Sequence, residues 1–338
     1  MGCIANSQQN GQCHTASWTP AHRSRRYPST QPWASSIRAS EPKAGYRAAR
    51  RIEMNVRPCR AIAMAEPHIL QDNLGQRLES LYHKYDRRDF VHPDPLEFLY
   101  EYDCVPEREV VGLIASSLAF GRVAQILNSV RKVLSVMGPS PTEYLNRGSL
   151  GVFRKEFAGF VHRYADAEAL SLLLEGARLT LRRYGTLERA VVAGMGPQDE
   201  SIVPGMRNLV GSLSDFPEFR PHPLVTCPSM GSACKRHNLF FRWMVRHDNV
   251  DPGGWDTISP ALLIVPLDTH LYRVSRELGL TERNQADLKC ALEITRGFGR
   301  IAPQDPVRFD FALTRPGIWA SFGTVHDAPG GDEDVRQP

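Results

Sequence analysis

Apolar residues recur every three or four positions along most of the chain after residue 67, and this helical period constrains the fold more than any other feature. Leu70, Leu74, Leu78, Leu81 and Tyr85 begin the pattern on one face of a helix. Further helices, separated by Pro and Gly, are predicted at 94–102, 107–119, 122–137, 168–184, 186–194, 202–215, 233–247, 269–279, 284–298 and 306–314. No alternation of apolar and polar residues predicts a strand. We therefore expect an all-α fold of about ten helices.

Charge divides the 338-residue chain into three parts, although the whole chain carries only +4. Residues 1–66 contain ten Lys and Arg against three Asp and Glu, and residues 317–338 contain one against four, which leaves 30 of each sign between them. We expect residues 1–66 to be a disordered leader rich in Arg, Ser and Pro, and residues 317–338 to be a disordered acidic tail. The leader is a transit peptide, a basic tail or sequence upstream of the true start codon. Residues 67–316 remain as the folded domain.

The seven cysteines indicate neither a disulfide framework nor a metal site. Their number is odd and no pair has Cys-x-x-Cys spacing, so we expect reduced thiols in a cytoplasmic protein without metal, iron–sulfur cluster or other cofactor. No stretch reaches the ~18 uncharged apolar residues of a membrane-spanning helix, so we expect no membrane partner. The folded domain is electrically neutral, and evidence for a nucleic-acid partner must therefore come from local charge.

The stretch 219–247 has no Asp or Glu in 29 residues, and its cations gather at the start of a predicted helix. Gly231 and Ser232 lead into that helix, which puts Lys235 and Arg236 in its first turn. The positive end of the helix dipole disfavours a cation there by ~0.3–1 kcal/mol. Free backbone N–H groups beside added cations suit an anion such as a phosphate. We therefore expect a nucleic-acid contact at this helix start.

Arg242 lies further along the same predicted helix and is another candidate for a phosphate contact. Arg242 and Arg246 are one turn apart, which also fits an ordinary basic face in solvent. The aromatic residues Phe240, Phe241 and Trp243 are expected in the core and not as a stacking platform. The charge of the stretch alone leaves both interpretations open.

Asp268 precedes the predicted helix 269–279 and fits an N-cap. The carboxylate of an N-cap accepts backbone N–H bonds, which contribute ~1 kcal/mol and hold the side chain in one place. Capping and catalysis are therefore compatible at this position. His270 and Arg273 follow on the same helix and are expected, together with Arg236, to bind phosphates.

The run 266–274, Pro-Leu-Asp-Thr-His-Leu-Tyr-Arg-Val, resembles a motif of the endonuclease III-like helix-hairpin-helix DNA glycosylases. The resemblance implies that Asp268 is catalytic and that Lys235, on the second helix of the hairpin, is at the position of the nucleophilic lysine. Their separation of 33 residues is similar to that in the archaeal 8-oxoguanine glycosylase branch. The run 113–126 resembles the opening of the same fold. Together these similarities imply a helix-hairpin-helix glycosylase-like domain.

A closer similarity covers most of residues 67–318. It rests on four motifs, which are similar to those of a mainly bacterial family of unknown function: Gly231-Ser-Ala-Cys-Lys-Arg, Asp251-Pro-Gly-Gly-Trp, Pro266-Leu-Asp-Thr-His and Asp310-Phe-Ala-Leu-Thr-Arg. The glycosylase hairpin normally has two glycines that let its backbone approach a DNA phosphate closely, and here Gly231 alone remains. Lys235 could therefore bind a phosphate instead of acting as a nucleophile.

We therefore expect a protein that acts on or recognises a flipped, damaged base, with DNA as the partner. In this hypothesis Lys235 attacks the sugar to form a Schiff base, and Asp268 is the catalytic carboxylate. The alternative is a nucleic-acid-binding module without catalysis, in which Lys235 and its neighbours bind phosphates. A metal-dependent nuclease or phosphohydrolase is a third class, supported only by the adjacent His247 and Asp248.

Overall fold

Helices are the main secondary structure of residues 67–314, the part of the chain that this computed structural model describes, with side chains described from residue 73. The α-helices are α1 (Pro67–Tyr85), α2 (Val105–Ser117), α3 (Val123–Met137), α4 (Pro141–Arg147), α5 (Leu150–Glu156), α6 (Ala167–Tyr184), α7 (Leu187–Val192), α8 (Val203–Leu213), α9 (Lys235–Val245), α10 (Thr269–Glu277), α11 (Leu288–Gly299) and α12 (Asp310–Thr314). Short 3-10 helices lie at Arg88–Phe90, Pro95–Glu101, Pro228–Met230 and Pro260–Leu262. The expectation of a mainly helical domain is confirmed. The expected leader and acidic tail lie outside the described residues.

Helices α4 and α5, of seven residues each, are not among the helices that apolar periodicity predicts. Helix α4 depends instead on its caps. The Ser140 hydroxyl accepts the Glu143 N–H at 3.3 Å, and the Glu107 carboxylate of α2 accepts the Thr142 N–H at 2.8 Å. Long-range capping of this kind cannot be read from the local sequence.

A short hairpin is the one exception to the expected absence of strands within residues 67–314. Strand β1 (Val161–His162) pairs antiparallel with β2 (Ala165–Asp166), and Val161 lies opposite Asp166. Two-residue strands are too short to show a period of two, so the pattern of the sequence does not reveal them.

Helix α9 is buried along most of its length and packs against α2. Phe240, Phe241 and Trp243 are fully buried, which confirms the expectation that they belong to the core. Gly112 of α2 allows the close approach of the two helices, because a Cβ at this position would lie 3.2 Å from the Phe240 ring. Each buried aromatic or aliphatic side chain contributes roughly 1.5–3 kcal/mol. Helix α9 is therefore well packed, and this packing fixes the position of its N-terminus.

A buried carboxylate on α2 joins three distant segments. Glu109 accepts the N–H groups of Leu187 and Glu188 at the start of α7, at 3.1 and 3.0 Å. Its other contact is the indole N–H of Trp255, which donates to it at 2.8 Å. Burial raises the pKa of Glu109 despite these donors. The loop that follows α9 is thereby fixed against α2 and α7. No helix in this part of the chain is long and apolar enough to cross a membrane.

Candidate functional site

Helix α9 begins at Lys235 because the backbone turns sharply in the residues before it. Gly231 has φ 77° and Cys234 has φ 50°, so both lie in the left-handed region. For a residue with a side chain this conformation costs roughly 1–2 kcal/mol. The Cys234 side chain is buried. The backbone N–H of Cys234 donates to the Ser232 hydroxyl at 3.2 Å, and this bond stabilises the turn. Lys235 therefore occupies the first position of a helix whose first N–H groups have no partner within the helix.

The chain before α9 differs from the hairpin that the glycosylase resemblance implies. Helix α8 ends at Leu213, and the next helical segment is the single 3-10 turn Pro228–Met230. Met230 is 71% exposed, and a Cβ at Gly231 would meet no atom within 4 Å. One 3-10 turn therefore lies before α9, where the resemblance implies the first helix of a hairpin.

Asp268 caps the N-terminus of α10, as predicted. Its Oδ1 accepts the N–H groups of His270 at 2.9 Å and Leu271 at 2.8 Å. The preceding residues 265–267 are buried, so the cap is attached to a rigid segment. Because Oδ1 accepts both N–H bonds, Oδ2 is not used in capping the helix.

Lys235 and Asp268 meet in one open cleft. The Lys235 Nζ lies 3.4 Å from Oδ2 of Asp268, and the two side chains are 37% and 21% exposed. The cleft has a volume of about 480 Å³, which is within the usual range of small-molecule sites. Its remaining lining consists of Ala119, Phe120, Gly121, Thr226, Ser232, Ala233, Cys234, Arg236, His237, Leu267, Thr269 and Ala286.

His237 is a cleft residue that sequence reasoning missed. It is 6% exposed, and its Nδ1 is buried with no hydrogen-bond partner among the described residues. Burial, with a smaller contribution from the nearby Arg236 cation, lowers the pKa of His237 to about 3. The cleft therefore contains a neutral imidazole near pH 7. Its position two residues after Lys235 is the only sequence signal, because its burial depends on distant segments.

Arg236 lies in the wall of the cleft, where three of its N–H groups already have acceptors within the protein. The guanidinium donates to the carbonyl oxygens of Ser117 at 2.9 Å and Pro223 at 2.5 Å, and to the Thr226 hydroxyl at 2.8 Å. It also lies over the Phe120 ring, 5.1 Å from the centroid. The phosphate contact expected at Arg236 stays a prediction, and in the structure this cation holds three parts of the cleft wall together.

Arg242 is buried and does not face a nucleic acid. Its side chain is 3% exposed and pairs with Asp251 at 3.1 Å and with Asp310 at 2.5 Å. Arg246 is equally buried and pairs with Asp251 and, at 3.0 Å, with Asp305. The expected phosphate contact of Arg242 is therefore wrong. The alternative of a solvated basic face is also wrong, because distant carboxylates neutralise both cations in the interior.

The four sequence motifs converge at the two ends of α9. The motifs that contain Lys235 and Asp268 line the cleft at its N-terminal end. The motifs that begin at Asp251 and Asp310 supply the carboxylates that hold Arg242 in the interior. Two motifs thus form the candidate site, and two hold the helix that carries it.

The other predicted contacts are divided between the cleft and the surface of α10. Ser232 lines the cleft, and Gly231 is exposed next to it. His270 and Arg273 are exposed on α10 and are not cleft residues. Arg273 lies 3.5 Å from Glu277 one turn later. A phosphate contact at these two positions would therefore lie outside the cleft.

His247 and Asp248 do not form a metal site. The Nδ1 of His247 lies 3.0 Å from the Pro252 carbonyl oxygen. Asp248 pairs with Arg246 and accepts the Tyr82 hydroxyl at 3.1 Å. No group of three or more His, Cys, Asp or Glu side chains in residues 67–314 is arranged to hold a metal ion.

Comparison with known proteins identifies one family. The family described as "Protein of unknown function (DUF2400)" matches residues 94–319, which is more than half of the chain. The match includes every residue that lines the cleft. No curated protein matches the chain, and no solved structure matches it.

Proposed function

The chain belongs to this family of unknown function, and from its cleft we propose that it is a DNA-glycosylase-like enzyme in which Lys235 forms a Schiff base with a nucleotide sugar. The observation that carries the proposal is the 3.4 Å approach of the Lys235 Nζ to the Asp268 carboxylate within an open cleft. An amine beside a carboxylate is the pair that covalent cleavage of an N-glycosidic bond requires. The resemblance of the run 266–274 to the glycosylase motif supports the same assignment.

In the proposed reaction the Lys235 ammonium first gives a proton to water, which leaves the neutral amine. Its lone pair bonds to C1′ of the sugar, the bond between C1′ and the base breaks, and the base leaves with the bonding electrons and takes up a proton. The bond between C1′ and O4′ then opens, O4′ takes up a proton, and a protonated Schiff base forms between C1′ and Nζ. Water adds to C1′ and releases the lysine.

Asp268 contributes charge and a proton acceptor at the reacting atoms. Its Oδ2 lies close enough to take the proton that the attacking amine must lose, and its negative charge stabilises the cationic sugar in the transition state. The two N–H bonds at Oδ1 fix the carboxylate before substrate binds. A distance of 3.4 Å is slightly long for a hydrogen bond, and such contacts commonly shorten when substrate enters.

The size of the cleft and the uncharged imidazole of His237 suit a base flipped out of a duplex. A volume of about 480 Å³ accommodates one nucleobase with its sugar. His237 offers a neutral imidazole that can donate or accept a hydrogen bond at a base edge. A base without its pairing partner costs less to extrude, which favours damaged or mismatched sites.

Cleavage of a duplex at a single abasic site tests the proposal. The Schiff base acidifies the C2′ hydrogen, and its removal expels the 3′ phosphate and cuts the strand. The full chain is expected to cut the strand, and Lys235→Arg is expected to abolish cleavage while keeping the positive charge. Cleavage by the Lys235→Arg variant at the wild-type rate would remove the proposal.

The second candidate function is binding of nucleic acid without catalysis. It is favoured by the ion pair itself, because a charged ammonium at a helix N-terminus is as well suited to a phosphate as to a sugar. It predicts that Asp268→Asn keeps or raises the affinity for DNA, because a negative charge beside the phosphate is removed. It also predicts that no substrate in a lesion panel yields product.

A further inference from the structure

An exposed aromatic ring lies beside the candidate site and has no role in the proposed chemistry. Tyr164 belongs to the turn of the β1–β2 hairpin and is 63% exposed. Its ring stacks on Phe120, with ring centroids 4.7 Å apart and planes 19° apart. Phe120 lines the cleft with Lys235 and Asp268. The stacked pair therefore extends from the cleft wall to solvent.

The hairpin is held rigidly against the cleft wall. His162 is 2% exposed, its Nε2 lies 3.0 Å from the Phe120 carbonyl oxygen, and its Nδ1 lies 2.9 Å from the Ser129 hydroxyl. Arg163 has φ 56°, an uncommon conformation for a residue with a side chain. Its side chain packs on Gly121, where a Cβ would come within 2.7 Å of the Arg163 Cδ. The strained turn thus presents the next residue, Tyr164, in a fixed position.

The charges around the ring are suited to a nucleotide chain. Arg163 and Arg122 are both exposed next to the cleft residue Gly121. The two acids that follow Tyr164 in the chain already have partners: Asp166 caps α6, and Glu168 pairs with Arg154 at 2.5 Å. An exposed ring beside cations is the arrangement by which proteins bind unpaired bases, since the ring stacks on the base and the cations contact the phosphates.

We propose that Tyr164, backed by Phe120, stacks on an unpaired nucleobase beside the cleft, with Arg163 at the adjacent phosphate. This inference rests on the proposed function, because it assigns the nucleotide that neighbours the reacting one. The occupant is an unpaired base of a nucleic acid and not the sugar that Lys235 attacks. The platform fixes where the strand enters the cleft, and it works equally well with any base, because every base has a π-face.

A purely structural role would make Tyr164 only a cover for the Phe120 ring. Two variants separate the roles. Tyr164→Phe keeps both the cover and the stacking ring, whereas Tyr164→Leu keeps an apolar cover and removes the ring. Val161 is 68% exposed in the same hairpin, so Val161→Ala is a matched control for a surface change.

The experiment measures binding of the full-length variants to a duplex that contains one unpaired 2-aminopurine. Stacking quenches the fluorescence of this base, and anisotropy gives the Kd. We expect quenching by wild type, Tyr164→Phe and Val161→Ala, with Kd values within about twofold. For Tyr164→Leu we expect no quenching and a Kd about 10- to 100-fold higher. Quenching and a wild-type Kd for Tyr164→Leu, or no quenching by wild type, would overturn the proposal.

One further variant, Lys235→Ala, distinguishes failure of this inference from failure of the proposed function. Lys235→Ala is expected to keep the quenching while losing strand cleavage. Quenching without any strand cleavage by wild type would support stacking on Tyr164 and contradict the Schiff-base chemistry. If Tyr164→Leu changed neither strand cleavage nor quenching, the Schiff-base chemistry would be supported and stacking on Tyr164 would be contradicted.

Discussion

The Nζ of Lys235 lies 3.4 Å from the Oδ2 of Asp268, although 33 residues separate them in the sequence. Each residue stands at the N-terminus of a different helix, Lys235 as the first residue of α9 and Asp268 as the cap of α10. Two helix starts therefore converge on one cleft. The arrangement concentrates backbone N–H groups around an amine and a carboxylate, which is a favourable environment for an anionic substrate.

Replacement of Asp268 by asparagine separates capping from chemistry. Asparagine caps a helix about as well as aspartate, so Asp268→Asn is expected to change the free energy of unfolding by less than about 0.5 kcal/mol. Loss of the carboxylate beside the amine is expected to slow strand cleavage by about 10²- to 10⁴-fold. Thermal melting and single-turnover cleavage of an abasic duplex measure the two effects. Asp268→Ala is the control, because it also loses the cap and about 1 kcal/mol of stability.

A wild-type cleavage rate for Asp268→Asn would contradict the role of Asp268 in the chemistry. A large loss of stability in the same variant would mean that the ion pair with Lys235 is mainly structural.

The buried arginine of α9 is expected to matter for stability and not for nucleic-acid affinity. Arg242→Met leaves the Asp310 carboxylate buried without its partner, which typically costs about 3–5 kcal/mol. The double variant Arg242→Met with Asp310→Leu is expected to recover part of that loss, because the unpaired charge is gone. Urea unfolding measures both. The matched control Arg154→Met removes an exposed ion pair with Glu168 and is expected to leave the urea midpoint nearly unchanged.

Weak DNA binding by Arg242→Met under conditions where the variant is fully folded would contradict this assignment, since it would restore Arg242 as a phosphate ligand. A double variant less stable than Arg242→Met would contradict the idea that the unpaired carboxylate causes the loss.

The neutral buried histidine gives a defined pH dependence of stability. The pKa of His237 falls from 6.5 to about 3 on burial. Between these values the unfolded chain binds a proton that the folded chain does not, so the free energy of unfolding falls as the pH drops from about 6.5 towards 3. Each such proton contributes a slope of about 1.4 kcal/mol per pH unit. The pKa of His222, lowered to about 4 by burial, has the same sign.

The measurement is urea unfolding at several pH values between 6.5 and 4.5 for wild type and His237→Gln. The variant is expected to show the smaller slope, whatever its absolute stability, and His222→Gln is expected to reduce the slope as well. An identical slope for wild type and His237→Gln would show that His237 is not held neutral in the folded chain.

Helical period and capping residues predict most of the long helices of this chain, because those signals are local. The long helix α6 follows its predicted range closely, and Asp268 is recognised as a cap from its position alone. Helix α4 and the β1–β2 hairpin escape prediction because they depend on distant partners, which are Glu107 for the helix and Phe120 for the hairpin.

The candidate site was only partly predictable, because some of its residues are placed by partners that are distant in the sequence. Lys235 and Asp268 are visible in the sequence because each stands at a helix start with a family-like motif. The burial of Arg242 cannot be predicted from the local sequence, because the acids that neutralise it lie 9 and 68 residues further along the chain. Tyr164 joins the site through its packing on Phe120, and no local pattern marks it.

Reductive trapping of the covalent intermediate tests the central claim most directly. Borohydride transfers hydride to the carbon of the C=N bond, which converts a Schiff base between Lys235 and the sugar into a stable amine. Peptide mapping then locates the attached residue. The exposed Lys289 of α11 provides a matched control.

For wild type and Lys289→Arg we expect an adduct with an abasic duplex that maps to Lys235, and for Lys235→Arg we expect none. No adduct with wild type, or an adduct that maps to another residue and persists in Lys235→Arg, would contradict the assignment of Lys235 as the nucleophile.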